Sequence, residues 1–265
     1  MFRLTREVRF AINSTPDDQL QSRPTNSFGG YPSITGLAHF FTLQATLVGP
    51  LETSSRYLRN IKEIDAVVRQ HAVPMVDRAI RDQTFGGGLG VTAKVFDTLK
   101  DRWPGATLEK LSLSQSPYQT WHVLAKEYPM VRLSQKFEFS ASHRLHNPAL
   151  PDDANVQTYG KCNNPLGHGH NYEVEVTVTG KPPSTGTLIN VPVLERIVNE
   201  AVIDRFDHKN LNEQVPEFRE TIPTVENIAM TIYRLLKPRI ADGGGPTLAS
   251  VTVWETPKTW CEYSE

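Results

Sequence analysis

The sequence predicts an α+β chain made of two copies of one antiparallel unit, each running strand-strand-helix-helix-strand-strand. Gly36-Leu-Ala-His-Phe-Phe-Thr-Leu-Gln-Ala-Thr-Leu-Val-Gly49 aligns without a gap beneath Gly167-His-Gly-His-Asn-Tyr-Glu-Val-Glu-Val-Thr-Val-Thr-Gly180, terminal glycines included. The second of these segments alternates with the period of two that marks a half-buried strand. Two more pairs follow at similar offsets, Arg3–Phe10 with Arg132–Phe139 and Leu111–Pro117 with Val251–Pro257. Self-similarity on this scale sets the domain plan before any single element is read. The predicted boundary lies near Pro129, giving a first copy over 1–129 and a second over 130–265.

In the first copy the pattern predicts strands near 2–12 and 38–48, helices near 58–80 and 90–102, and strands near 107–114 and 119–124. In the second, strands near 131–142 and 170–180 precede a helix near 191–205, where Leu194, Ile197, Val198, Ala201 and Val202 form an apolar stripe. Pro223 and Thr224 open another helix, with Thr224 as its N-cap and Ile228, Ile232, Leu235 and Leu236 turned inward. Pro238 and the Gly243-Gly-Gly245 loop are expected to end it, and Thr247–Trp254 and Thr259–Tyr263 are the closing strands.

The chain has 265 residues, 38% of them hydrophobic, enough for one large domain or two ordinary ones. A formal net charge of −1 provides no global field toward nucleic acid or an anionic membrane, so an anionic substrate must be met by a local cluster. Charges occupy the first ten residues where a signal peptide needs an apolar core, and no run approaches the length of a membrane span. A soluble cytoplasmic protein is expected. Of the two cysteines, Cys162 reads as a thiol with a task and Cys261 as packing, because a lone disulfide has little reason to form in a reducing compartment.

The chemistry concentrates in the second copy. His168 and His170 are two apart on a strand and share a face. His143 ends another alternating run, on one face with Val131, Leu133, Phe137, Phe139 and Ala141. Singly, each reads as an ordinary strand histidine. Together, three neutral nitrogen donors without a fourth protein ligand describe a catalytic zinc site, since structural zinc is usually closed by four residues and rich in cysteine. Cys162 lies in a Gly/Asn/Pro loop beside Lys161, where that charge and a bound dication would favour thiolate, a nucleophile or a general base. Asp207-His208 offers an aspartate-oriented imidazole for proton transfer. Glu255 ends the strand Val251–Glu255, where a carboxylate can accept two hydrogen bonds from an amino-pyrimidinone edge. Glu226 reads either as a first-turn acid serving the helix dipole or as part of the site. The first copy keeps only His39, opposite His170. Ser14, Leu37, Tyr31 and Gln115 stand near the places of His143, His168, Cys162 and Glu255, so that copy is expected to be a structural partner without metal.

Phe139-Ser-Ala-Ser-His143, Tyr159-Gly-Lys-Cys-Asn-Asn-Pro-Leu-Gly-His-Gly-His-Asn-Tyr172, Asp207-His-Lys-Asn-Leu-Asn212, Pro223-Thr-Val-Glu-Asn227 and Trp254-Glu-Thr-Pro257, in that order, resemble the 6-pyruvoyl-tetrahydropterin synthase family. The resemblance covers about Leu133 to Tyr263. It implies the tunnelling fold, in which four-stranded antiparallel sheets join into a barrel with paired helices outside. It also implies one zinc ion per chain on His143, His168 and His170, Cys162 as general base, and His208 with Asp207 and Glu255 as a proton relay. Glu255 would anchor the pterin ring, with Thr224 and Glu226 close to it. The implied substrate is 7,8-dihydroneopterin triphosphate, with room for Mg²⁺ on the triphosphate, and the implied reaction eliminates triphosphate. Lys161, Arg144 and Lys209 are candidates for the phosphate side. The five-residue gap between Cys162 and His168 resembles the pyruvoyl-forming branch more than the 6-carboxy-tetrahydropterin synthases of queuosine biosynthesis. Single-unit members oligomerise and form sites between subunits, so a homo-oligomer of trimer-like rings is expected, with second copies meeting second copies. A non-catalytic pterin- or purine-binding module and a zinc hydrolase of the cyclohydrolase kind are the competing readings.

Overall fold

The computed structural model describes residues 1–14, 26–82, 87–182, 187–241 and 245–265. It divides into two compact units, one of Met1–Ser134 with Thr179–Leu188 and one of Gln135–Val178 with Ile189–Glu265.

In the first unit, β1 (Phe2–Asn13), β2 (Ala38–Gly49), β3 (Thr107–Ser116) and β4 (Gln119–Leu124) pair antiparallel in chain order. The alternating pattern turns Val8, Phe10, Leu43, Leu47, Leu111 and Leu113 into a core where each is at most 1% exposed. One helix runs through Ile61–Val67, a π turn Val68–Ala72 and Val73–Arg81. The Asn60 side chain caps it, accepting from the Lys62 amide at 3.0 Å. Ile64, Val68, Ala72 and Val76, four apart, form its buried stripe. The second helix, Gly87–Leu99, packs against β3 and β4. It starts three residues before the sequence pattern suggests, because glycine disfavours helix interiors. Gly88 is needed there nonetheless, since a Cβ at that position would overlap the Trp121 ring.

The second unit repeats the plan with β5 (Val131–His143), β6 (His168–Gly180), β8 (Thr247–Thr256) and β9 (Thr259–Tyr263), neighbours in that order, and a two-residue β7 (Lys209–Asn210) parallel to β5. Its first helix again contains a π turn, running Val191–Val198, Asn199–Ile203 and Asp204–Phe206. Both units thus show the sheet and paired helices of the tunnelling fold, with the same irregularity at the same place. Two readings change. Pro238 does not end its helix, Val225–Ala241, because it removes one backbone hydrogen bond near the end while Ile240 beyond it stays buried at 3% exposure. Cys162 is held in a 3₁₀ turn, Gly160–Asn163, behind a helix over Asp152–Tyr159 that no hydrophobic stripe announces. Residues 243 and 244 of the predicted Gly243–Gly245 loop lie outside the described residues.

The hairpins β3–β4 and β8–β9 share a further irregularity. Ser114 pairs with Thr120 and Ser116 with Gln119, leaving Gln115 as an extra residue. Trp254 pairs with Trp260 and Thr256 with Thr259, leaving Glu255 as the extra residue. Each bulge is followed by the same local turn, Ser116 Oγ accepting from Tyr118 N and Thr256 Oγ1 from Lys258 N, both at 3.2 Å. A bulge bends its strand and re-aims the side chain it carries.

His122 on β4 faces Ser112 Oγ at 2.9 Å. Enclosure, with the positive charges of Lys110 and Arg132, lowers its pKa from 6.5 to about 3. The folded imidazole is therefore neutral where the unfolded one takes a proton, so stability falls as pH drops from about 6.5 towards about 3. Urea midpoints measured between pH 7 and pH 4 are expected to decline, and His122→Gln to decline less steeply. Equal slopes would refute this source of acid sensitivity.

Candidate metal centre

Alternation on β5 and β6 carries His143, His168, His170 and Tyr172 to one place. Gly167, at φ 73°, lets β6 begin against β5, since a Cβ there would lie 2.9 Å from the His143 carbonyl oxygen. His143 is fully buried, and its Nδ1 is 2.8 Å from the Pro223 carbonyl oxygen, ahead of the helix Val225–Ala241. Donating there fixes the tautomer and leaves Nε2 to face the site. His143 Nε2 lies 3.1 Å from His168 Nε2. The bulge at Glu255 brings Oε1 to 3.1 Å from His143 Nε2 and 3.2 Å from His170 Nε2. One donor atom from each of these four residues lies within 4.8 Å of all the others, and among the described residues no other such group is found.

The electrostatics suit a cation. Burial first, then His143 and His170 for His168 and His143 for His170, lowers both pKa values despite the opposing pull of Glu255, so both rings are neutral at pH 7 and able to offer a nitrogen lone pair. Closeness to His143 first, and then to His170 and His168, keeps Glu255 below the ordinary carboxylate range against its burial. His170 Nε2 and His168 Nδ1 are buried without a hydrogen-bond partner. A buried ring nitrogen left unpartnered among other potential metal donors is costly unless something electropositive sits among them. Donors about 3.3 Å apart are what tetrahedral coordination at about 2.0–2.1 Å requires, so these residues fit a metal ion.

Cys162 stands beside this group, its carbonyl accepting from Leu145 N at 2.9 Å. In the protein alone, burial and then the Glu255 carboxylate push the Cys162 thiol pKa up, and the exposed Lys161 does not offset them. Arg144 Nε lies 3.2 Å from both the carbonyl and side-chain oxygens of Asn163, so it braces the Cys162 turn.

Asp207 and His208 do contact each other, Nδ1 to Oδ2 at 2.7 Å, and Asp207 Oδ1 also accepts from Ser140 N at 2.8 Å. Those two hydrogen bonds lower the Asp207 pKa. The His208 side chain is 82% exposed, and it lines an open cleft of about 550 Å³ together with His170 and Lys209. Thr224 caps its helix, Oγ1 accepting from Asn227 N at 3.3 Å, and Glu226 is exposed in the first turn. Among the described contacts neither reaches the imidazoles. The sequence reading missed the Pro223 carbonyl, which no side-chain pattern marks, and Tyr172. The Tyr172 ring lies edge-on to His143 and His170, with its hydroxyl buried and unpartnered. Its place on the face of His168 and His170 was the available signal.

Three converging imidazoles and a carboxylate beside a thiol, on an antiparallel sheet with paired helices, make a group able to hold a metal ion. Residues 132–265 match the family model described as 6-pyruvoyl tetrahydropterin synthase. The chain belongs to that family. It is 44% identical over 133 residues to 6-pyruvoyl tetrahydrobiopterin synthase of Homo sapiens, covering 50% of this chain and 90% of the human protein. A putative 6-carboxy-5,6,7,8-tetrahydropterin synthase of Archaeoglobus fulgidus is 40% identical over 95 residues, covering 36% of this chain and 73% of that protein. The solved structure of Caenorhabditis elegans 6-pyruvoyl tetrahydropterin synthase matches at 37% identity and a TM-score of 0.49, over 52% of this chain and 96% of that one. No helix among the described residues is long and apolar enough to cross a membrane.

Proposed function

We propose that the chain is a zinc-dependent carbon–oxygen lyase that eliminates triphosphate from 7,8-dihydroneopterin triphosphate to give 6-pyruvoyl-tetrahydropterin. The observation that carries this reading is the convergence of His143, His168, His170 and Glu255 beside Cys162, in the half that is 44% identical to the human synthase. The three imidazoles would hold zinc, which supplies Lewis acidity toward the side-chain hydroxyls of the substrate. Cys162 takes a proton from the carbon next to the polarised oxygen. The raised thiol of the protein alone means that the nearby positive charge must lower it for that role. Glu255, aimed inward by its bulge, accepts hydrogen bonds from the amino-pyrimidinone edge. Asp207 holds His208 with Nε2 free to pass protons, and the exposure of His208 suits a site completed by a neighbouring copy in a homo-oligomeric ring. Residues 130–265 are the catalytic copy and 1–129 its partner; Mg²⁺ would accompany the triphosphate, and the setting would be cytoplasmic.

The test is an anaerobic assay of zinc-loaded protein with dihydroneopterin triphosphate. Tripolyphosphate should appear without acetaldehyde, and Cys162→Ala should slow its release by about 10²–10⁴-fold, the usual contribution of a general base. Acetaldehyde would move the assignment to the 6-carboxy branch. Zinc and pterin bound with neither product would make the chain a binding module.

A further inference from the structure

We propose that the first unit holds a second ligand site, a pocket for a flat, uncharged heteroaromatic ring that presents a cyclic-amide edge to Gln115. This does not rest on the lyase reading above.

The first unit has lost the imidazoles but not the concavity. A cavity of about 320 Å³ remains there, within the usual range for small-molecule sites of about 300–1,000 Å³. Its floor is apolar and well packed: Phe41, Val76, Val91 and Leu113 are each at most 5% exposed. Trp121 also lines it, its indole packed directly on Gly88, where a side chain would overlap the ring. A lining of this kind suits a ring system in van der Waals and stacking contact.

The rim is polar at one point. Gln115, the extra residue of the β3 bulge, sets Nε2 3.0 Å from His39 Nδ1. With Nε2 donating to that nitrogen, the imidazole is fixed as its Nε2–H tautomer, and the carboxamide keeps Oε1 and a second N–H for a ligand. Both residues are otherwise exposed, so the pair is open to a ligand. The same bulge in the second unit aims Glu255. A carboxylate only accepts, which selects an edge of two donors. A carboxamide accepts once and donates once, which selects an adjacent N–H and C=O, as in a lactam or cyclic imide. Exchange of one oxygen for an amide nitrogen thus changes the class of ring each unit prefers.

The matched probes are lumazine, whose pyrimidine ring carries only lactam and imide edges, and 2,4-diaminopteridine, which has exocyclic amines in place of both carbonyls and so lacks any such edge. Equilibrium dialysis of the full chain carrying Glu255→Ala, to remove the carboxylate of the other unit, should show one lumazine bound per chain in preference to 2,4-diaminopteridine. Adding Gln115→Glu should weaken lumazine and favour 2,4-diaminopteridine, each by about tenfold or more, as expected when one partner of a hydrogen-bonded edge is inverted. Gln115 is on the surface, so far-UV circular dichroism should be unchanged. No saturable lumazine binding, a preference for 2,4-diaminopteridine with Gln115 intact, or affinities indifferent to Gln115→Glu would each overturn the proposal.

Discussion

Replacing His143 with alanine is expected to remove bound metal and to slow tripolyphosphate release by about a thousandfold or more, since Lewis-acid stabilisation is worth several kcal/mol. The residue is fully buried, and its two ring nitrogens face opposite ways, Nδ1 to the Pro223 carbonyl and Nε2 to His168 and Glu255. Its loss therefore opens the donor set and strands a backbone carbonyl. The variant should also be less stable by about 1–3 kcal/mol, the cost of an unsatisfied buried polar group. Metal content separates the two effects: a folded variant holding stoichiometric zinc would refute the assignment of His143 as a ligand.

Phe206→Ala should be the most damaging substitution in the second unit outside the donor set, at about 3–5 kcal/mol for a fully enclosed phenylalanine. Its ring is 0% exposed and packs edge-on against Phe139 and Phe218, each with centroids 5.7 Å away. It is also the last residue of its helix before Asp207, whose amide donates to Ile203 O at 2.9 Å. Truncation should release the Asp207–His208 pair as well as the core. A large drop in urea midpoint is expected, with reduced turnover at temperatures where circular dichroism still shows a folded chain. Phe206→Leu, close in volume, should recover most of both. An unchanged midpoint would mean that these aromatic contacts do not hold the unit together.

What could be seen in the sequence follows from what local periodicity encodes. Alternation placed His143, His168 and His170 on inward faces, and strand pairing then had few ways to keep them apart. Thr224 was readable as a cap because capping is a local hydrogen bond. The position of Glu255 among the imidazoles was not readable, because a bulge breaks the alternation from which side-chain direction is inferred. Nor was the support of His143 by the Pro223 carbonyl, a contact across 80 residues that involves no side chain of Pro223. Gly87 and Gly88 argue locally against helix, and the need for glycine at position 88 appears only once the Trp121 ring is seen packed on it. The raised Cys162 thiol depends on burial, which the adjacent Lys161 did not disclose.

The paired bulges also carry history. Point substitution exchanges side chains, but an extra residue in one strand of a ladder arises by insertion and disappears by deletion. Gln115 and Glu255 occupy the same extra position in the two hairpins, followed by Ser-Pro and Thr-Pro. A shared extra residue is what two copies of one hairpin would keep while their side chains diverge, because exchanging glutamine for glutamate leaves the course of the backbone unchanged.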